Sequence, residues 1–89
     1  VFAGNDFQAV GAIQALQEAG LKAPDDMAVM GCDDWQMSSW MRPALTTVRV
    51  PFLQMGELGT HLLCRLVRRE EVSSRQIFLP SEIVERESA

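Results

Sequence analysis

Short apolar runs, each followed by a pair of polar residues, set the pattern of the first third of the chain. Residues 1–4 and 27–31 are the apolar runs, and residues 5–6 and 33–34 are the polar pairs. Between the runs, residues 6–19 carry apolar side chains at the three- and four-residue spacing of an amphipathic helix. This strand, helix, strand order predicts a parallel βαβ unit with both polar pairs at the carboxyl edge of the sheet.

The polar pairs define a candidate binding site. Open α/β sheets bind small molecules in the crevice outside the carboxyl ends of their strands, so we expect a cleft lined by Asn5 and Asp33. Asn5 also stands where the helix needs an N-cap, and Gly20 followed by Leu21 predicts a Schellman ending. Asp34 would point away from Asp33 along an extended chain, which argues against a carboxylate pair acting as general acid and base.

The remainder of the chain predicts a long helix and further short strands. The strands are expected at 45–50, 76–79 and 82–85, and the helix at 52–69. The apolar positions of this helix predict a buried face, and close backbone packing would explain Gly56 and Gly59. An irregular stretch at 35–43 holds two Trp and two Met. These side chains could fill the core under a segment that is missing from these residues, or they could form a subunit interface.

Composition limits the classes of function. A net charge of −4 with Lys22 as the only lysine argues against nucleic-acid contact by these residues. No apolar run approaches the roughly 20 residues that cross a bilayer. Cys32 and Cys64 lack metal-ligand spacing and are expected to be buried free thiols of a reducing cytosol, and His61 is expected at the surface. Without a phosphate loop, nucleophile motif or metal set, we expect no enzyme activity, cofactor or metal site.

Five motifs in order resemble the C-terminal part of the LacI/GalR family of bacterial transcription regulators. They are Gly-Asn-Asp-Phe-Gln-Ala-Val-Gly-Ala at 4–12, Gly-Cys-Asp-Asp at 31–34, Pro-Ala-Leu-Thr-Thr-Val-Arg at 43–49, Met-Gly at 55–56, and Leu-Pro at 79–80 with Arg-Glu-Ser at 86–88. Each motif alone is weak, but the five cover nearly the whole chain with family-like spacing. A chain of 89 residues that opens inside an apparent strand also fits a fragment of a larger α/β protein.

The resemblance implies an α/β fold, namely a parallel-sheet, periplasmic-binding-protein-like (type I) effector domain. In the family, a helix-turn-helix headpiece precedes a core of two α/β subdomains around an effector cleft. Residues 1–50 would belong to the C-terminal subdomain, residues 51–76 to a crossover helix of the N-terminal subdomain, and residues 77–89 to a strand that returns to the first. The chain would then be the last third of such a core.

The resemblance also implies roles for particular residues. Asn5 and Asp33 correspond to positions that hydrogen-bond the effector, a sugar, sugar acid or purine, and Phe52 corresponds to a position that packs against it. The positions where family members form homodimers are Val10, Trp40 and Met41, which favours the interface interpretation of residues 35–43. Cys32 departs from the family, which commonly has an aromatic residue there.

The implied function is effector sensing and dimerisation in a cytoplasmic DNA-binding regulator without catalysis. Operator DNA would be contacted only through a headpiece outside these residues, and no membrane partner is expected. The alternative on the same fold is a periplasmic sugar- or solute-binding protein of a transport system. The Leu-Thr-Thr-Val-Arg-Val-Pro segment at 45–51 and the unpaired cysteines favour the regulator.

Overall fold

A computed structural model describes residues 1–89. In chain order it contains α1 (Asp6–Glu18), β1 (Met30–Asp33), α2 (Met37–Trp40), β2 (Thr46–Arg49), α3 (Phe52–Val67) and β3 (Glu82–Val84). The chain divides into unit 1, residues 1–50 with 81–89, and unit 2, residues 51–80. The second boundary lies later than residue 76, where the sequence suggested a crossover. The assignment of these units to the subdomains of a complete core stays a prediction.

The sheet of unit 1 has the strand order β1-β2-β3 and is mixed. β1 and β2 are parallel, and Phe2 forms a parallel bridge to Met30, so the predicted parallel arrangement of the first segments is confirmed. β3 runs antiparallel to β2 at the edge, which the sequence analysis did not predict. β1 also begins later than expected, because residues 27–28 are exposed and the ladder starts where the Met30 N–H bonds the carbonyl of Val1.

Local sequence signals determine both ends of α1. The side chain of Asn5 accepts a hydrogen bond of 2.9 Å from the backbone N–H of Gln8, so Asn5 is the predicted N-cap. At the other end Gly20 has φ 76°, and the N–H of Leu21 bonds the carbonyl of Leu16 at 2.8 Å. This is the predicted Schellman motif. The helix packs on a small core whose buried apolar side chains are Ala3, Ala9, Ile13, Val29 and Leu45.

The first residue of α1, Asp6, is a fully buried acid in the middle of unit 1. Its carboxylate accepts hydrogen bonds from the Trp35 N–H at 2.8 Å and from the hydroxyls of Ser38 and Thr47, each at 2.6 Å. A Cβ on Gly31 would overlap Asp6 Oδ1. Glycine at 31 therefore provides the space for the carboxylate, and three donors compensate for its loss of water.

The C-terminal tail joins the starts of β1 and β2. Ser88 is fully buried, and its hydroxyl accepts from the Thr46 N–H at 2.8 Å and donates to the Val29 carbonyl at 2.6 Å. Two residues earlier, Arg86 donates from Nη2 to Asp34 Oδ1 at 2.7 Å. Arg49 donates to the other oxygen, Asp34 Oδ2, at 2.7 Å. The tail is therefore an integral part of unit 1.

These two cations determine the ionisation of Asp34. Burial of Asp34 favours the neutral acid, but the hydrogen bonds and charges of Arg49 and Arg86 outweigh it, so the pKa of Asp34 lies below its ordinary value of 3.8. Arg86 is the better shielded partner, with 17% of its side chain exposed against 51% for Arg49. The Arg86 pair is therefore the less screened by water.

Unit 2 corrects several expectations. None of the residues of α3 is buried, because in unit 2 its apolar face meets only a groove wall around Ile77 and Leu79. A Cβ on Gly56 or Gly59 would meet open space, so backbone packing in this chain does not explain these glycines. Residues 76–79 form no strand, and Cys64 is free but exposed. His61 is exposed, as predicted.

The stretch at 35–43 contains one helical turn, α2, and its tryptophans are exposed. They do not fill the core of this chain, so the choice between a core under a further segment and a subunit interface stays a prediction. Cys32 was also expected to be buried, but it is a free thiol that is only half-buried. No helix of the chain is both long and apolar enough to cross a membrane.

Two glycine-to-alanine substitutions should have opposite effects. Gly31→Ala should lower the free energy of unfolding by about 1 to 3 kcal/mol, because the added methyl overlaps the Asp6 carboxylate. Gly11→Ala, in the exposed part of α1 with open space around it, should raise that free energy by about 0.5 to 1 kcal/mol. Urea denaturation measures both. A Gly31→Ala protein as stable as the unmodified one would contradict the placement of Asp6.

The pKa of Asp34 predicts a pH-dependent contribution to stability. A depressed folded-state pKa stabilises the fold above the unfolded value of about 3.8, and this contribution is lost as the pH falls through the folded value. Asp34→Asn should therefore cost on the order of 2 kcal/mol at pH 7, and the cost should shrink below pH 4. Urea denaturation across this range measures it, with the exposed Asp25→Asn as control. A cost that stays constant down to pH 2.5 would contradict the ion-pair origin.

Candidate functional site

The register of the sheet brings Asn5 and Asp33 to the same edge. Phe2 pairs in parallel with Met30, and Asn5 and Asp33 each lie three residues further along their segments. Asp33 is also the last residue of β1, and in the backbone register of the parallel ladder it lies opposite Arg49 of β2. The topology therefore places the two predicted residues at the carboxyl edge, where open α/β sheets bind ligands.

Asn5 can cap its helix and still contact a ligand. Its Oδ1 accepts from the Gln8 N–H, whereas its Nδ2 group donates to no atom of the chain. The residue is half-buried. An amide carries two N–H donors on Nδ2, so both remain free for a hydroxyl or carbonyl oxygen of a bound molecule. The cap fixes the orientation of these donors.

Asp33 combines a carboxylate that has no cation partner with a strained backbone. It is half-buried, and its carboxylate accepts no hydrogen bond from a cation or a backbone N–H of the chain. Its φ is 111° and that of Asp34 is 57°, and both values lie in the region that favours glycine. Such conformations cost on the order of 1 to 3 kcal/mol each and cluster at functional sites. The positive φ values of Asp33 and Asp34 are thus backbone outliers of the kind found at binding sites.

Asp34 has a different environment from its neighbour. Along an extended chain the two side chains would point apart, but positive φ values at both residues show that the chain is not extended there. The two side chains still have different surroundings, because Asp34 is neutralised by Arg49 and Arg86 while Asp33 has no cation. Two acids with such unlike partners do not share a proton as a catalytic dyad does.

The thiol beside Asp33 is held in its neutral form. Burial is the main reason that the pKa of Cys32 is raised, and the negative charges of Asp33 and Asp6 add to the effect. A thiolate is the reactive and metal-binding form of cysteine. Cys32 is therefore a small, weakly polar wall residue next to the candidate site. The chain contains no cluster of His, Cys, Asp and Glu suited to a metal ion.

An aromatic pair follows directly after the two polar tips and was missed by the sequence analysis. Phe7 and Trp35 have ring centroids 6.0 Å apart at an interplanar angle of 53°, a tilted arrangement typical of aromatic contacts. Both rings are more than half exposed. The available signal was positional, since each ring lies one or two residues after a predicted ligand-binding tip.

Phe52 belongs to unit 2. It is the first residue of α3, and 52% of it is exposed, so it is not a core aromatic of this unit. Its predicted packing against an effector stays a prediction. The three residues of the predicted dimer surface lie in unit 1, where Val10 and Met41 line one groove together with Ile13.

Comparison with known proteins places this geometry in a family. Residues 1–89 match the family of periplasmic binding protein-like domains. The ribose operon repressor of Escherichia coli (strain K12) is 40% identical over 89 residues, which are 100% of this chain and 27% of the repressor. The chain thus spans about a quarter of the length of that curated relative.

Solved structures of regulators have the same fold. The transcriptional regulator CelR in complex with cellobiose matches with a TM-score of 0.93 at 30% identity, covering 100% of this chain and 27% of that one. The lac repressor dimer bound to operator and the anti-inducer ONPF matches with a TM-score of 0.88 at 34% identity, covering 98% and 30%. The chain therefore belongs to the periplasmic binding protein-like domain family, and it is the C-terminal part of an effector core of the LacI/GalR type.

Proposed function

We propose that these residues form one wall of the effector cleft, and part of the dimer surface, of a cytoplasmic DNA-binding transcriptional repressor. The observation that carries the proposal is the Asp33 carboxylate, which has no cation partner and is held at φ 111° at the same carboxyl edge of the sheet as the Asn5 amide. No catalytic step is assigned, because Asp34 is neutralised by arginines and the Cys32 thiol is kept protonated.

The chemistry of the edge favours a polyhydroxylated ligand. A carboxylate accepts charge-assisted hydrogen bonds from two hydroxyls, and the free Nδ2 group of Asn5 donates to a third oxygen. Phe52 is proposed to cover an apolar face of the ligand. The 40% identity to the ribose operon repressor makes D-ribose the first probe, followed by cellobiose, a sugar acid and a purine.

Regulation would operate as a two-state equilibrium. Effector bound at Asp33 stabilises one arrangement of the dimer, and the arrangements differ in their affinity for operator DNA. The DNA contact itself is assigned to a headpiece outside these residues, because the chain carries a net charge of −4. The transport alternative is not favoured, since the ribose operon repressor, CelR and the lac repressor, which match over 98% to 100% of this chain, are regulators.

The proposed dimer surface is formed by the exposed Trp40 and the half-buried Val10 and Met41. Val10 and Met41 line one groove, and Trp40 lies next to Met41 with 67% of its surface exposed. Met41 also packs partly against the buried core. Aromatic residues such as Trp40, and also Met, are enriched at protein interfaces. A substitution of Trp40 is therefore expected to affect dimerisation without affecting the folding of unit 1.

Asp33→Asn should weaken the binding of the effector by about 1.5 to 3 kcal/mol, the scale of a hydrogen bond to a charged group. The fold should persist, because Asn adopts positive φ as readily as Asp. Isothermal titration of the intact regulator with D-ribose, and then with the other probes, measures the affinity. Asp25→Asn removes the same charge from an exposed loop and serves as control. Equal affinities for the Asp33 variant and the parent protein would remove Asp33 from the site.

Trp40→Ala should shift the intact regulator from dimer to folded monomer, because truncation of a central aromatic anchor costs about 2 kcal/mol or more of association energy. Sedimentation velocity at micromolar concentration measures the mass, and circular dichroism verifies folding. Phe78→Ala, which removes the most exposed aromatic ring of unit 2, is the matched control. A Trp40→Ala dimer as tight as the parent would contradict the proposed surface.

A further inference from the structure

The backbone amides of the turn that carries Asp33 are held by one buried side chain. The Trp35 N–H donates directly to Asp6 Oδ2 at 2.8 Å, and the Asp34 N–H donates to the hydroxyl of Thr47 at 3.3 Å. That hydroxyl in turn donates to Asp6 Oδ1 at 2.6 Å. The two backbone amides that follow Asp33 therefore both end on the Asp6 carboxylate, one directly and one through Thr47.

The same carboxylate is linked to the other candidate ligand-binding residue. Asp6 follows Asn5 directly and is the first residue of the helix that Asn5 caps. Its position is fixed from below by Gly31, where no side chain larger than hydrogen fits. One fully buried acid thus lies next to Asn5 in the chain and directs its hydrogen bonds to the turn after Asp33.

Strain makes this connection functional as well as structural. Two successive non-glycine residues with φ 111° and 57° persist only where the surroundings impose the conformation. The hydrogen bonds from the Asp34 and Trp35 amides hold the backbone of this turn, while Arg49 and Arg86 hold the Asp34 side chain. Without them the turn would relax toward negative φ, and the Asp33 carboxylate would change direction.

We propose that Asp6 is a positioning residue of the effector site, which aims Asp33 through the Trp35 amide and through the Thr47 hydroxyl. Asp6 itself is fully buried, so a molecule bound at the surface does not reach it. The proposal rests on the proposed function, because it requires that Asp33 binds the effector. The affinity for the effector then depends on Asp6 and on the Thr47 hydroxyl, both of which lie behind the binding surface.

Thr47 and Ser38 provide a matched pair of substitutions that test the relay. Both are fully buried, and each donates one hydroxyl hydrogen bond of 2.6 Å to Asp6, but only Thr47 also accepts from the turn after Asp33. Thr47→Val, which keeps the shape and removes the hydroxyl, should weaken D-ribose binding by the intact regulator about tenfold. Ser38→Ala should leave the affinity unchanged, and Thr47→Ser should restore it.

Hydrogen–deuterium exchange gives a readout that needs no ligand. The segment 33–35 should exchange faster in Thr47→Val than in Ser38→Ala at equal global stability, which urea denaturation verifies. Equal exchange and equal affinity in the two variants would overturn the proposal and leave Asp6 a purely structural acid. Should the parent protein fail to bind D-ribose, the affinities are compared with cellobiose, the next probe, and equal exchange in the two variants would still overturn the relay.

A double-substitution cycle separates the two proposals. Asp6→Asn and Asp33→Asn should each weaken D-ribose binding, and the double variant should be no weaker than Asp33→Asn alone, because Asp6 acts through Asp33. Additive losses would overturn the positioning role while leaving Asp33 in the site. An unchanged affinity of Asp33→Asn would instead overturn the proposed function, and the positioning role with it.

Discussion

The hydrogen bonds to the Asp6 carboxylate are the interaction on which the rest of unit 1 depends. A carboxylate without access to water is costly unless donors surround it, and here the donors come from the turn after β1, from α2 and from β2. Burying one acid therefore requires three separate segments to converge on the start of α1. The convergence in turn demands glycine at 31, because a side chain there would occupy the volume of the carboxylate.

This arrangement divides two adjacent acids between different tasks. Asp34 faces Arg49 and Arg86 and is stabilised as an anion, whereas Asp33 is left without a cation at the edge of the sheet. The division depends on the backbone, since the positive φ values at both residues turn the two side chains toward different surroundings. Structural charge pairing and ligand-binding capacity thus coexist in consecutive residues. The strain that separates them is supported by the hydrogen bonds behind the turn.

Local features of unit 1 could be predicted from the sequence because local chemistry determines them. Asn5 caps α1 and Gly20 ends it, since an N-cap and a Schellman motif need only residues within one turn. The shared edge of Asn5 and Asp33 followed from the strand, helix, strand order. The roles of Asp6 and Ser88 could not be predicted, because their partners lie about 30 to 60 residues away along the chain. The antiparallel direction of β3 depends on the same kind of distant contact.

The expectation of a buried face on α3 failed for a related reason. Periodicity predicts that a helix has an apolar face, but not that the surface it packs against lies in the same 89 residues. In unit 1 the elements pack on one another within the chain. Val1 forms hydrogen bonds with Ala28 and Met30, and Ser88 forms hydrogen bonds with Val29 and Thr46. Unit 2 lacks such packing, since none of the residues of α3 is buried. Most helical stability in proteins comes from packing of the apolar face, so within this chain α3 depends on its weak intrinsic propensity, which two glycines reduce further.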